Sequence, residues 1–123
     1  YFYNKVPTLP QSFLCRFAVA ELESWLLADY KGLAAFLHIT ESLMPDEPEG
    51  QEFPTRTSVN LASKSRRTDI RQAIVPAPRH ESPVAPGYTA AMTDFIENHW
   101  NIEAAAVRAP SLRRCVQRLR ELA

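Results

Sequence analysis

Cysteine is scarce in this chain: Cys15 and Cys115 are the only two in 123 residues. Two thiols so far apart form neither a secreted disulfide framework nor a spaced zinc site, and we expect both to be reduced and buried. An excess of charge of either sign is also missing. Fourteen Lys and Arg cancel fourteen Asp and Glu, so no global field announces a nucleic-acid or membrane partner, and any recognition surface must be local. No run approaches the roughly 18 apolar residues of a membrane span, and no basic-then-apolar leader is seen. The chain opens on Tyr1 without a methionine. The expectation is a cytoplasmic protein with no membrane partner, read as a piece of something longer.

What is present is an ordinary globular composition, 46% apolar and 23% charged, enough for one domain over 1–123. Over 13–19 the order Phe, Leu, Cys, Arg, Phe, Ala, Val places Phe13, Cys15, Phe17 and Val19 on one face of a predicted strand. Leu22, Trp25 and Leu26 then recur at helical spacing. Glu21 and Glu23 therefore fall where strand gives way to helix. Asp29 is placed to cap a short helix with Leu33, Phe36 and Leu37 inward.

Two proline-rich segments, 40–58 and 75–87, read as loops, the first an acidic surface excursion. Short helices are expected around 59–64 and 67–74. From Tyr88 onward, Met92, Phe95, Ile96 and His99 share one helical face. Asn101 can cap the next segment, and Pro110 suits the first turn of a last helix with Leu112, Cys115, Val116, Leu119 and Leu122 inward. One strand among helices lacks partners for its edges. We therefore expect an α/β fold whose earlier strands lie upstream, with ligands gathering at the carboxyl ends of a parallel sheet.

Four segments, "AVAELESWLLAD", "SKSRRTDIRQAIVP", "APGYTAAMTDFIENHW" and "RAPSLRRCVQRLREL", resemble the bacterial domain of unknown function 4276, grouped with Toprim-like folds and often encoded beside AAA or ABC-type ATPases. The chain resembles its C-terminal two thirds. Leu22, Glu23, Ser24 and Trp25 align with the family's Phe/Leu-Glu-Ala-Trp core motif, with Ser24 in place of alanine and Ala20 where an arginine is common. The resemblance implies the C-terminal part of a Toprim-like, metal-dependent nuclease or phosphotransferase acting with an ATPase, in anti-phage defence. It also implies Mg or Mn held by Glu23 together with an upstream glutamate and Asp-x-Asp pair. Such chemistry polarises phosphate and activates water from oxygen ligands.

The candidate catalytic residues are thus Glu23 and Glu21, with Glu23 the candidate metal ligand. Each has a plainer reading, as a paired carboxylate or as helix-start charge. Lys64, Arg66, Arg67 and Arg71 are candidate phosphate or DNA contacts, because arginine forks match phosphate oxygens. A solvated helix face is their plainer reading, since no aromatic residues interleave them. His38, His80 and His99 lack metal-ligand spacing. Two alternatives to the enzyme remain open: a non-catalytic module docking on an ATPase, and a DNA-binding fragment.

Overall fold

The computed structural model describes residues 21–79 and 81–122. Residues 21–28 are helical (α1), followed by α2 (Tyr30–Leu37), α3 (Pro54–Ser63), α4 (Thr68–Ile74), α5 (Tyr88–Asn98), α6 (Ile102–Arg108) and α7 (Pro110–Leu122). Short 3-10 turns at Glu41–Leu43 and Pro48–Gly50 join α2 to α3. The described residues are all-helical, with no strand and no sheet. This overturns the α/β, Toprim-like fold class. The predicted strand at 13–19 lies outside the described residues. The apolar stripes from Leu26 onward have helical period and, apart from the distal half of α7, pack on other helices among the described residues, so no parallel sheet is needed to bury them.

Two clusters make the core. Leu27, Leu33, Leu37, Ile74 and Phe95 anchor the larger one, closed by Leu26, Ile39, Met44, Leu61 and Met92. The smaller one joins Ala28, Ala105, Ala109 and Leu112, with Trp25, Trp100 and Val116 packed around them. Its alanines let α1, α6 and the start of α7 approach closely. Trp100 borders both clusters, and its buried indole N–H has no acceptor among the described residues.

Asp29 links two of these helices. It is buried, and its Oδ1 accepts from Gly32 N–H at 3.1 Å, capping α2 as expected. Its Oδ2 accepts from Asn101 N–H at 2.9 Å, just before α6. Gly32 leaves room for this: a Cβ there would stand 2.2 Å from Asp29 Oδ2. Gly32→Ala should therefore push the carboxylate off its cap and lower stability by about 0.5–2 kcal/mol, the cost of losing a cap. Urea denaturation checks this, and an unchanged midpoint would show that the cap tolerates displacement. At the other end of α2, His38 adopts the left-handed conformation (φ 57°) that usually falls to glycine or asparagine. Its N–H returns to the carbonyls of the last turn.

The segment expected as loop at 40–58 differs from that reading. Pro54 opens α3 rather than extending the loop, because a proline at the first helical position loses no hydrogen bond. The acidic part of the segment is pinned. Glu49 Oε1 accepts from Ser111 N–H at 2.9 Å and from Ser111 Oγ at 2.7 Å, supplying the start of α7 with a carboxylate where the helix dipole favours one. Arg108 Nη2 donates to the carbonyls of Asp46 (2.7 Å) and Pro45 (3.2 Å), while its guanidinium lies 4.6 Å from the Tyr30 ring centre.

Candidate functional site

Glu23 sits on the inner side of α1 with 6% of its surface exposed. Its carboxylate is approached from two other helices. Thr55 Oγ1, in the first turn of α3, donates to Oε1, and Tyr88 OH, at the start of α5, donates to Oε2. Burial, then the hydrogen bond to Glu23 and its negative charge, push the Tyr88 phenol well above the ordinary tyrosine value. The phenol is therefore a standing donor to the carboxylate, and the three side chains join α1, α3 and α5 at one point. Both carboxylate oxygens carry a hydroxyl donor in a buried setting, an arrangement that satisfies a buried acid without a counter-ion.

Glu21 lies elsewhere. It is half-buried, and its Oε2 stands 3.4 Å from Ser111 Oγ, whose one proton is directed more closely to Glu49 at 2.7 Å. Ser111 Oγ also accepts from the Trp25 indole N–H at 2.8 Å. The structure thus separates the two glutamates, one toward α3 and α5 and the other toward α7. Among the described residues no group of three or more His, Cys, Asp or Glu side chains is placed to hold a metal ion. Glu23 has no group of further carboxylate, histidine or thiol ligands beside it, so the described residues alone do not assemble the oxygen set that Mg or Mn requires.

The four basic candidates gather around the α3–α4 junction but are not equally free. Arg67 forms a two-pronged pair with Asp69, Nε to Oδ1 at 2.9 Å and Nη2 to Oδ2 at 2.7 Å. The mutual hydrogen bond raises the Arg67 pKa and lowers that of Asp69. Arg71 donates to the Ser65 carbonyl and, at 3.0 Å, to Thr68 Oγ1. Lys64 and Arg66 stand exposed, with no ion pair among the described residues. The Arg67–Asp69 pair also edges a shallow cleft of about 400 Å³ between α2, α4 and α5, with His38, Phe36 and His99 along it.

The last helix departs most from its expected packing. Leu112 is buried and Cys115 and Val116 are half-buried, whereas Leu119 and Leu122 are 61% and 80% exposed. The five residues share one face, but the expected inward packing fails for Leu119 and Leu122, whose half of the stripe has no cover among the described residues. Cys115 is a free thiol. Thr55, Glu49 and Ser111 are the working residues that sequence reasoning passes over, and it marks Tyr88 only as the start of an amphipathic helix. The one available signal was the proline before Thr55, a helix-start mark. No family model, curated protein or solved structure matches the chain.

Proposed function

We propose that this chain is a non-catalytic helical module that docks on a protein partner through α7. The observation that carries this reading is the exposed distal stripe of Leu119 and Leu122 on a helix otherwise well anchored by Leu112, Ser111 and Glu49. Large exposed apolar side chains that share one helix face are typical of interaction surfaces. An AAA or ABC-type ATPase is the partner that the sequence resemblance implies. Support for nuclease chemistry on these residues is weaker, because Glu23 is held by Thr55 and Tyr88 and Glu21 does not join it.

A photo-crosslinking amino acid at position 119, introduced in expressing cells, should give a discrete adduct with another protein. The same probe at exposed Glu97, on α5, should not. Equal labelling from both positions would refute the docking reading. In parallel, the purified chain incubated with plasmid and single-stranded DNA in Mg or Mn should leave both uncut. Metal-dependent cleavage lost on Glu23→Gln would replace the docking reading with the enzyme.

A further inference from the structure

We infer that the groove between α6 and α7 receives an amphipathic helix of a partner protein whose apolar seam is flanked by acidic residues. The inference rests on the docking reading above and names the partner's chemistry. Ile102, Ala106 and Val116 form the apolar floor of this groove, which has a volume of about 280 Å³. Leu119, one turn beyond Val116, is exposed beside this groove but is not one of its lining residues. Arg113 and Arg120 stand on the rim, and Glu103 is the one carboxylate beside them.

The helical wheel sharpens the charge argument. At 100° per residue, Leu112, Cys115, Val116, Leu119 and Leu122 occupy one arc of α7. Arg113 and Arg120 flank that arc on one side, and Arg114 and Arg118 lie toward the other. All four are exposed, and none makes an ion pair among the described residues. The only acid in α7, Glu121, projects away from the seam. An apolar groove with a cationic rim is complementary to a helix carrying apolar anchors at i, i+3 and i+4 with glutamates or aspartates beside them.

Two other occupants fit less well. A second copy of α7 would set arginine against arginine along the rim, a like-charge juxtaposition that disfavours pairing. A lipid surface calls for an apolar face free along the helix, but Leu112 and Val116 are already packed on Ala28, Ala105 and Ala109.

The test is a fluorescence-anisotropy titration of the whole chain with two synthetic amphipathic peptides that share one leucine seam, flanked in one by glutamate and in the other by lysine. The glutamate peptide should bind at least about tenfold more tightly, with the difference shrinking as salt rises. Arg113→Glu with Arg120→Glu should reverse the preference. Ile102→Ser, in the groove floor, should weaken both peptides, with the far-ultraviolet dichroism of each variant matching the wild type. Equal binding of the two peptides, or a preference unmoved by the double charge reversal, overturns the inference. So does binding of phosphatidylserine vesicles, or self-association in sedimentation, through Leu119 in place of the peptide. If peptide selectivity fails while position 119 still crosslinks to a protein in cells, only the acidic partner is lost. If the crosslink also fails, the docking reading falls with it.

Discussion

Phe95→Ala should lower the unfolding free energy by about 3–5 kcal/mol, the cost of deleting a buried aromatic ring and leaving its cavity partly open. Phe95 has no exposed surface and lies in the larger core cluster, its ring centre 5.3 Å from that of Phe36 in a tilted arrangement. Domains of this size have a total stability of about 5–15 kcal/mol, so a loss of this order brings the chain close to unfolding at physiological temperature. In urea the midpoint should fall sharply with little change in slope, because the surface exposed on unfolding is nearly the same. Phe53 is the matched control. It is 53% exposed, with the Arg56 guanidinium 4.8 Å from its ring centre. Phe53→Ala should stay within about 0.5 kcal/mol of wild type. A Phe95→Ala midpoint no lower than that of the control would mean that the core is organised around other residues.

The α5 stripe that supplies Phe95 was readable in advance. Met92 and Phe95 are buried, Tyr88 and Ile96 half-buried and His99 exposed, as a helix with its last turn at the surface should be. The caps were also local enough to read: Asp29 accepts from a residue three positions away, and so does Asn101. What escaped notice depends on contacts between distant residues. Glu49 caps a helix 62 positions downstream, and nothing in a proline-rich acidic loop distinguishes that role from solvation. The start of α3 at Pro54 was hidden because proline marks loops and first helical turns alike. The α7 stripe shows the complementary limit. Periodicity says which side chains share a face, but not how far the rest of the molecule extends beneath it, so Leu112 and Leu122 looked alike and differ completely in burial. The α/β inference failed for a related reason. It took one apolar segment near the N-terminus as evidence for an unseen sheet, whereas the helices from α1 onward cover one another.

That leaves Glu23, which reads from sequence as a site residue and in three dimensions as the junction of three helices. Its hydroxyl partners lie 32 and 65 positions away. Removing the acceptor in Glu23→Ala should cost roughly 2–4 kcal/mol, since hydrogen bonds to a carboxylate are among the stronger ones and two buried hydroxyls are left without it. Glu23→Gln keeps one carbonyl oxygen but replaces the other acceptor with an amide donor, so it should cost about half as much. Tyr88→Phe should show the same interaction from the other side, at about 1–3 kcal/mol near neutral pH. The pH dependence gives a second readout. Because the folded chain holds the Tyr88 phenol above its ordinary value, the unfolded chain releases this proton first as pH rises. Its contribution is therefore complete below about pH 10 and declines above it, where the unfolded tyrosine ionises. Denaturation curves through that alkaline range should fall more steeply for the wild type than for Tyr88→Phe. The two should also converge as the pH rises. If Glu23→Gln melts with the wild type and the alkaline limbs of wild type and Tyr88→Phe run parallel, the carboxylate is not a structural junction, and its burial would have to be explained by chemistry at a site.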